Sequence, residues 1–172
     1  TLGVVESRPG AGTFLRATSS RMLSESVSWN MLIGEHDLDE LVEVRAALEI
    51  HAAWVAAERC EPATIARLAE HLERMQATVD DVPAFLDADR GFHRELAVST
   101  GNSRVQDLLD ITHGLLRGQA TSPAARHHAC VALGEHERVY AAIAAGDPAA
   151  ASDAMRDHMR HSASLLHTSV AA

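Results

Sequence analysis

The chain has no lysine, three phenylalanines, two tryptophans, one tyrosine, two cysteines and no apolar run long enough to span a bilayer. Each shortage excludes something. With aromatics at only 3 %, a core must be built from alanine and aliphatic side chains, which favours helices packed closely through small residues. Cys60 and Cys130 show no CxxC or other metal-type spacing, so neither a disulfide framework nor a thiolate zinc site is expected, and the usage suits a cytoplasmic protein. No stretch of eighteen apolar residues and no basic-then-apolar leader occurs, so neither a membrane span nor a secretion signal is expected. A formal charge of −9 argues against a polypeptide that grips phosphate backbones unaided. Any DNA contact must come from a small local patch or from residues outside these 172.

What is present is mostly helical pattern. Only the opening differs: Gly3 to Ser7 and Thr13 to Arg16 are short β-type runs around Arg8-Pro9-Gly10-Ala11-Gly12, which predicts a β-hairpin. A lone two-stranded hairpin is marginal in water, and the first residue is Thr1, so the other members of its sheet are expected upstream. After Ala17, start and stop signals cut the chain into helices. A polar first helix over roughly 18–33 ends at Gly34, and a second runs from near Asp37 or Asp39 to Cys60. The third follows Glu61-Pro62 and continues to about Thr78, and Asp80 to Pro83 open a fourth that stops at Gly101. Asn102-Ser103 cap a fifth that ends near Gly118, and the sixth spans about Pro123 to Ala145. Gly146-Asp147-Pro148 then combine a C-terminal glycine, an N-cap and a first-turn proline, the clearest boundary in the chain. The expected architecture is all-α, an antiparallel bundle of six to seven helices behind a short N-terminal β-hairpin. Its parts are a wing-like hairpin over 1–16, a linker helix over 17–36 and a main domain over 37–172.

Ionisable residues stand where core residues belong. In the fourth helix the stripe Phe85, Phe92, Leu96 is completed at helical spacing by Asp89 and His93. The sixth carries His136 within Ala129, Leu133, Tyr140 and Ile143, and the seventh carries His158 within Ala151, Met155, Ser162 and Leu165. Taken singly, a stripe histidine is more often a hydrogen-bonded core residue. A buried carboxylate, however, costs several kcal/mol unless it is paired or bound to a cation. Asp89 and His93 at i, i+4 can hold one ion from one helix, and imidazoles of two neighbours can close the site. One carboxylate with three imidazoles suits Zn²⁺, Ni²⁺, Mn²⁺, Co²⁺ or Fe²⁺ and does not choose among them; Zn²⁺ is the ion expected.

His161 follows His158 by three residues and could reach the same region, although it lies off the stripe; His51, His71, His127 and His128 read as surface positions, and His36, His113 and His167 are uninformative. In the second helix the stripe Leu38, Leu41, Leu48, Ala52, Val55 includes Arg45. Its acceptor is either an internal acid such as Glu49 or Asp89, or the carboxylate of a small ligand. Asn102 reads first as an N-cap, with a cavity-facing role as the alternative.

Val5 to Phe14 resembles the end of the winged helix-turn-helix of GntR-type regulators. Five further stretches resemble the C-terminal ligand-binding (FCD) domain of the FadR-like subfamily: Asp39 to Glu49, Ala84 to His93, Gly101-Asn102, Glu135-His136 and Ala145 to His158. The resemblance implies a helical bundle that forms a homodimer, holds one divalent metal and binds a small organic acid beside it. It implies metal ligation by Asp89, His93, His136 and His158, effector contacts by Arg45 and Asn102, and DNA contact by Arg8 and Gly10 near the hairpin tip. The function so implied is ligand-controlled regulation of operator DNA, with no enzymatic activity and no membrane association. A helical metalloenzyme at the same Asp-His site is the alternative, weakened by the lack of paired Glu-x-x-His motifs. The other is a dimerisation bundle stapled by its metal.

Overall fold

The computed structural model describes residues 5–8, 12–15, 38–116 and 125–170. Two units emerge, divided at Leu38. In the first, β1 (Val5–Arg8) pairs antiparallel with β2 (Gly12–Leu15), in the register Val5 with Leu15 and Arg8 with Gly12. The expected linker helix over 17–36 and Gly10 lie outside the described residues, and of Arg8 only the backbone is described.

The second unit is all helix among its described residues: α1 (Leu38–Arg59), α2 (Pro62–Ala77), α3 (Val82–Ser99), α4 (Ser103–Leu115), α5 (Ala125–Ala144) and α6 (Pro148–Val170). The boundaries follow local chemistry. Pro62 sits in the first turn of α2, where its missing N–H costs nothing. Asp81 caps α3 by accepting from Ala84 N–H, and Asn102 caps α4 by accepting from Arg104 N–H at 3.0 Å. Between α5 and α6 the chain reverses through Gly146 at φ +65°, with Gly146 N–H donating to Ile143 O and Asp147 N–H to Ala142 O. That paired closure needs a left-handed residue, and glycine takes it without a Cβ penalty.

Helices α2 with α3, and α5 with α6, form the two most extensive packing pairs, with α2 also against α5 and α3 against α4 and α5. Their shared core joins Leu68, Phe92, Leu96, Val139, Ile143, Met155 and Met159 to the alanine face Ala52, Ala53, Ala56 and Ala57 of α1. Burying one large aliphatic or aromatic side chain of this set contributes about 1.5–3 kcal/mol. Of the α1 stripe expected through Leu41, Leu48, Ala52 and Val55, Ala52 is fully buried and the three larger residues are half-buried; Ala53, Ala56 and Ala57 take the other deep positions. Against this core α3, α5 and α6 each direct ionisable side chains inward.

Candidate metal centre

His93 and Asp89 lie one turn apart on α3, and His136 on α5 and His158 on α6 meet them. One ligand-type atom from each of the four lies within 4.8 Å of the others. His136 Nε2 is 3.2 Å from His93 Nε2 and 3.2 Å from Asp89 Oδ1, and His158 Nε2 is 3.3 Å from His93 Nε2. The three histidines are buried, while the Asp89 side chain keeps 18 % exposure. Phe92 holds the His136 ring edge-on, with centroids 4.8 Å apart.

The outward ring nitrogens decide which atoms carry protons. His136 Nδ1–H donates to Ala132 O at 2.7 Å, and a carbonyl can only accept, so His136 Nε2 is a bare lone pair. His158 Nδ1–H donates to Glu135 Oε2 at 2.9 Å, which leaves His158 Nε2 bare as well. His93 Nδ1 lies 2.9 Å from Glu49 Oε2, again a carboxylate. The centre therefore gathers two bare imidazole lone pairs, of His136 and His158, and one carboxylate around His93 Nε2.

The titration of His136, His158 and Asp89 agrees. Burial, then the neighbouring His158, pushes His136 down to about 3, and burial lowers His158 despite the opposing hydrogen bond from Glu135. Burial alone would raise Asp89, but His93, His136, His158 and Arg45 outweigh it and hold the carboxyl below its ordinary range. Neutral imidazoles and an ionised carboxylate are the protonation states a divalent cation requires. By donor set the four residues fit such an ion, and the anchoring of His136 and His158 through their outward nitrogens matches the outer support of metal-binding histidines.

A half-open cavity of about 110 Å³ adjoins the cluster, lined by Arg45, Leu86, Asp89, Arg90, His93, His113 and Leu116. Arg45 is 13 % exposed, 3.8 Å from Glu49 Oε1, and its Nε is buried without a hydrogen-bond partner. Of the two residues expected near an effector, Arg45 is thus on the cavity wall with unused donor capacity. Asn102 is not among the lining residues: it is exposed, and its side-chain oxygen is spent capping α4.

Of the residues that surround the four, sequence reasoning names Glu49 only as a partner for Arg45, and misses His113 and the role of Glu135. Glu49 is fully buried and accepts from His113 Nε2 at 2.8 Å. His113 had a usable signal, since it stands four residues after the buried Leu109 and beside the buried Thr112. Glu135 also receives His161 Nδ1 at 3.1 Å. His71, read as a surface residue, is half-buried, with its ring so close over Gly91 that a Cβ there would lie 2.3 Å from His71 Cε1.

The model of the FCD domain matches residues 40–161. The HTH-type transcriptional regulator LutR of Bacillus subtilis is 30% identical, over 96% of this chain and 78% of its own length. The HTH-type transcriptional repressor NanR of Klebsiella aerogenes is 27% identical, over 90% of this chain and 58% of its own. Among solved structures, a GntR protein of Streptococcus agalactiae superposes with a TM-score of 0.65 at 25% identity, covering 94% of this chain and 74% of that one. McbR/YncC of E. coli gives 0.68 at 17% identity, over 97% and 78%, a likeness of fold. These relatives are named as transcriptional regulators, not enzymes. No helix among the described residues is long and apolar enough to cross a membrane.

Proposed function

The chain belongs to the FCD-domain family of GntR-type transcriptional regulators, and from that premise we propose that residues 37–172 sense a small carboxylate by means of a divalent metal, Zn²⁺ first among the candidates. The observation that carries this reading is the convergence of four ligand-type atoms, Asp89 Oδ1 and the Nε2 atoms of His93, His136 and His158, in a buried site where the protons of His136 and His158 are held on their outward nitrogens. Like lone pairs this close repel, and a cation turns the repulsion into ligation.

Such an ion supplies a Lewis-acidic centre to which an oxygen of the effector can bind. The chain's own residues would do the rest. Arg45 offers a guanidinium with an unpartnered Nε to the effector carboxylate, and Leu86 and Leu116 form the apolar part of the wall. The half-open cavity of about 110 Å³ suits a compact acid. For the signal to reach DNA, the effector must favour one arrangement of the regulator over another, since equal affinity for both shifts nothing. In this reading the protein acts as a homodimer on operator DNA, and the hairpin is the wing of a winged helix-turn-helix, with Arg8 and Gly10 at its DNA-facing tip.

Elemental analysis of the purified protein, followed by calorimetric titration of the Zn²⁺-loaded and chelator-stripped forms with a panel of short mono-, di- and hydroxycarboxylic acids, tests the proposal. The expected result is one metal per chain and acid binding that disappears with the metal. A metal-free protein that gains neither Zn²⁺ nor any acid would overturn it.

A further inference from the structure

Glu49 is wholly buried on α1, beside the alanine face, and is not one of the four clustered ligand candidates. A carboxylate sealed from water is strongly unfavourable unless partnered. Its Oε1 accepts from His113 Nε2 at 2.8 Å and lies 3.8 Å from Arg45 Nε, and its Oε2 lies 2.9 Å from His93 Nδ1. The contact with His93 is close but not aligned as a hydrogen bond, which leaves both His93 Nδ1 and Glu49 Oε2 without one. A ring nitrogen and a carboxylate oxygen, both buried and already touching, complete each other by a small rotation of the imidazole. The proton then stays on His93 Nδ1, because an ionised carboxylate only accepts.

Glu49, His93 and His113 also bring three ligand-type atoms within 4.8 Å, the spacing of a second cation site. Arg45 argues against that use. Its guanidinium already stands beside Glu49 and supplies the positive charge that a second ion would bring, and a divalent cation there would face a fixed like charge.

We propose that Glu49 is a positioning residue: it holds His93 as the Nδ1–H tautomer, with the Nε2 lone pair toward Asp89, His136 and His158, and ties that orientation through His113 and Arg45 to the cavity wall. The proposal rests on the cation reading above and adds to it a residue that neither joins the four ligands nor lines the cavity. The other two histidines are held differently. His136 is anchored by the backbone carbonyl of Ala132, and His158 by Glu135, whose further partner His161 is not on the cavity wall. Glu49 touches a ligand histidine and two cavity-wall side chains at once, so an acid that draws Arg45 or His113 toward itself changes the hold on His93.

The test is Glu49→Gln, which preserves shape but can present an NH₂ donor to His93 Nδ1 and so drive the proton onto Nε2, the atom facing the centre. Histidine ¹⁵N NMR of the chelator-stripped chain near pH 8 reads the His93 tautomer before any metal is added, and competition with a chromophoric chelator then gives the Zn²⁺ affinity. The expected wild-type state is Nδ1–H. In E49Q that state should be lost and Zn²⁺ affinity should fall about 10–100-fold, the usual effect of removing an outer partner. Glu135→Gln is the comparison, expected to disturb His158 while His93 keeps its tautomer. A wild-type His93 protonated on Nε2, or an E49Q protein unchanged in both tautomer and affinity, overturns the proposal. If E49Q fails to fold, the wild-type tautomer decides by itself. A wild type that shows Nδ1–H yet binds no Zn²⁺ would defeat the cation reading and leave the positioning role of Glu49 supported.

Discussion

Acidifying the chelator-stripped protein should destabilise it in a window set by His136. Burial and the adjacent His158 hold this imidazole down to about 3 in the folded chain, against 6.5 in the unfolded one. Below pH 6.5 the unfolded chain therefore binds a proton that the folded chain refuses, and stability falls as pH falls, by up to about 1.4 kcal/mol per pH unit for this one group. Above pH 6.5 the ring is neutral in both states and adds no slope. At pH 5 the accumulated loss is roughly 2 kcal/mol, and it grows toward pH 3. Against a domain stability of about 5–15 kcal/mol, such a loss is readable in a urea titration followed by circular dichroism. His158, also lowered, acts in the same direction. The carboxylates of Asp89, Glu49 and Glu135, all held low, stabilise the fold above their ordinary range and lose that contribution only at more acid pH. The control is His136→Gln, which removes the titrating ring and keeps an amide that can still donate to Ala132 O. Between pH 8 and pH 5 the variant's stability should fall by roughly 2 kcal/mol less than that of the wild type. Parallel pH dependence in the two proteins would refute the claim that His136 is buried neutral.

Three other changes separate the roles assigned above. Arg45→Met keeps apolar volume but removes the guanidinium, so calorimetry should show acid binding lost while Zn²⁺ still binds; undiminished acid affinity would place anion recognition elsewhere on the wall. Asn102→Ala should lower stability by about 1 kcal/mol through loss of the α4 cap, with acid affinity unchanged; a fall in affinity without a fall in melting temperature would reverse that assignment. Gly91→Ala sets a methyl group against the His71 ring and should cost about 1–3 kcal/mol in urea unfolding, because α2 and α3 pack closely there. A melting temperature equal to wild type would mean the ring swings aside freely.

The core of the site was readable from spacing because α3, α5 and α6 announce their buried faces with large side chains. Phe85, Phe92 and Leu96 define a stripe, and only the face they mark makes Asp89 and His93 anomalous. On α1 the same method went astray. Ala52, Ala53, Ala56 and Ala57 fill the interior, and alanine contrasts too weakly with its neighbours to mark a face, so Leu41, Leu48 and Val55 drew attention to a half-buried edge. Glu49 was hidden for the same reason. It reads as the i+4 partner of Arg45, whereas its close contacts are His113, 64 residues away, and His93. Pairings between helices leave no trace in one helix's periodicity; they become legible only once the bundle sets which faces meet. Asn102 shows the converse, a local signal sufficient by itself: asparagine after glycine at a helix start predicted a cap, and a cap is what the backbone required.

The placement of the cavity bears on whether a metal here would serve only to staple the helices. Structural zinc sites are closed, with four protein ligands and no access, whereas sites that bind further ligands keep one side open. His136 and His158 are sealed in the core, yet Asp89 and His93 belong both to the cluster and to the cavity lining, and Asp89 retains partial exposure. An ion held by the four would thus have a buried flank and an approachable one, with Arg45 standing over the approachable side. A staple has no use for that asymmetry, nor for a buried guanidinium Nε that lacks a hydrogen bond beside it. If stapling were the whole purpose, replacing Arg45 with methionine should alter no response to any acid. A sensing role requires the substitution to abolish the acid response, whatever it does to the melting temperature.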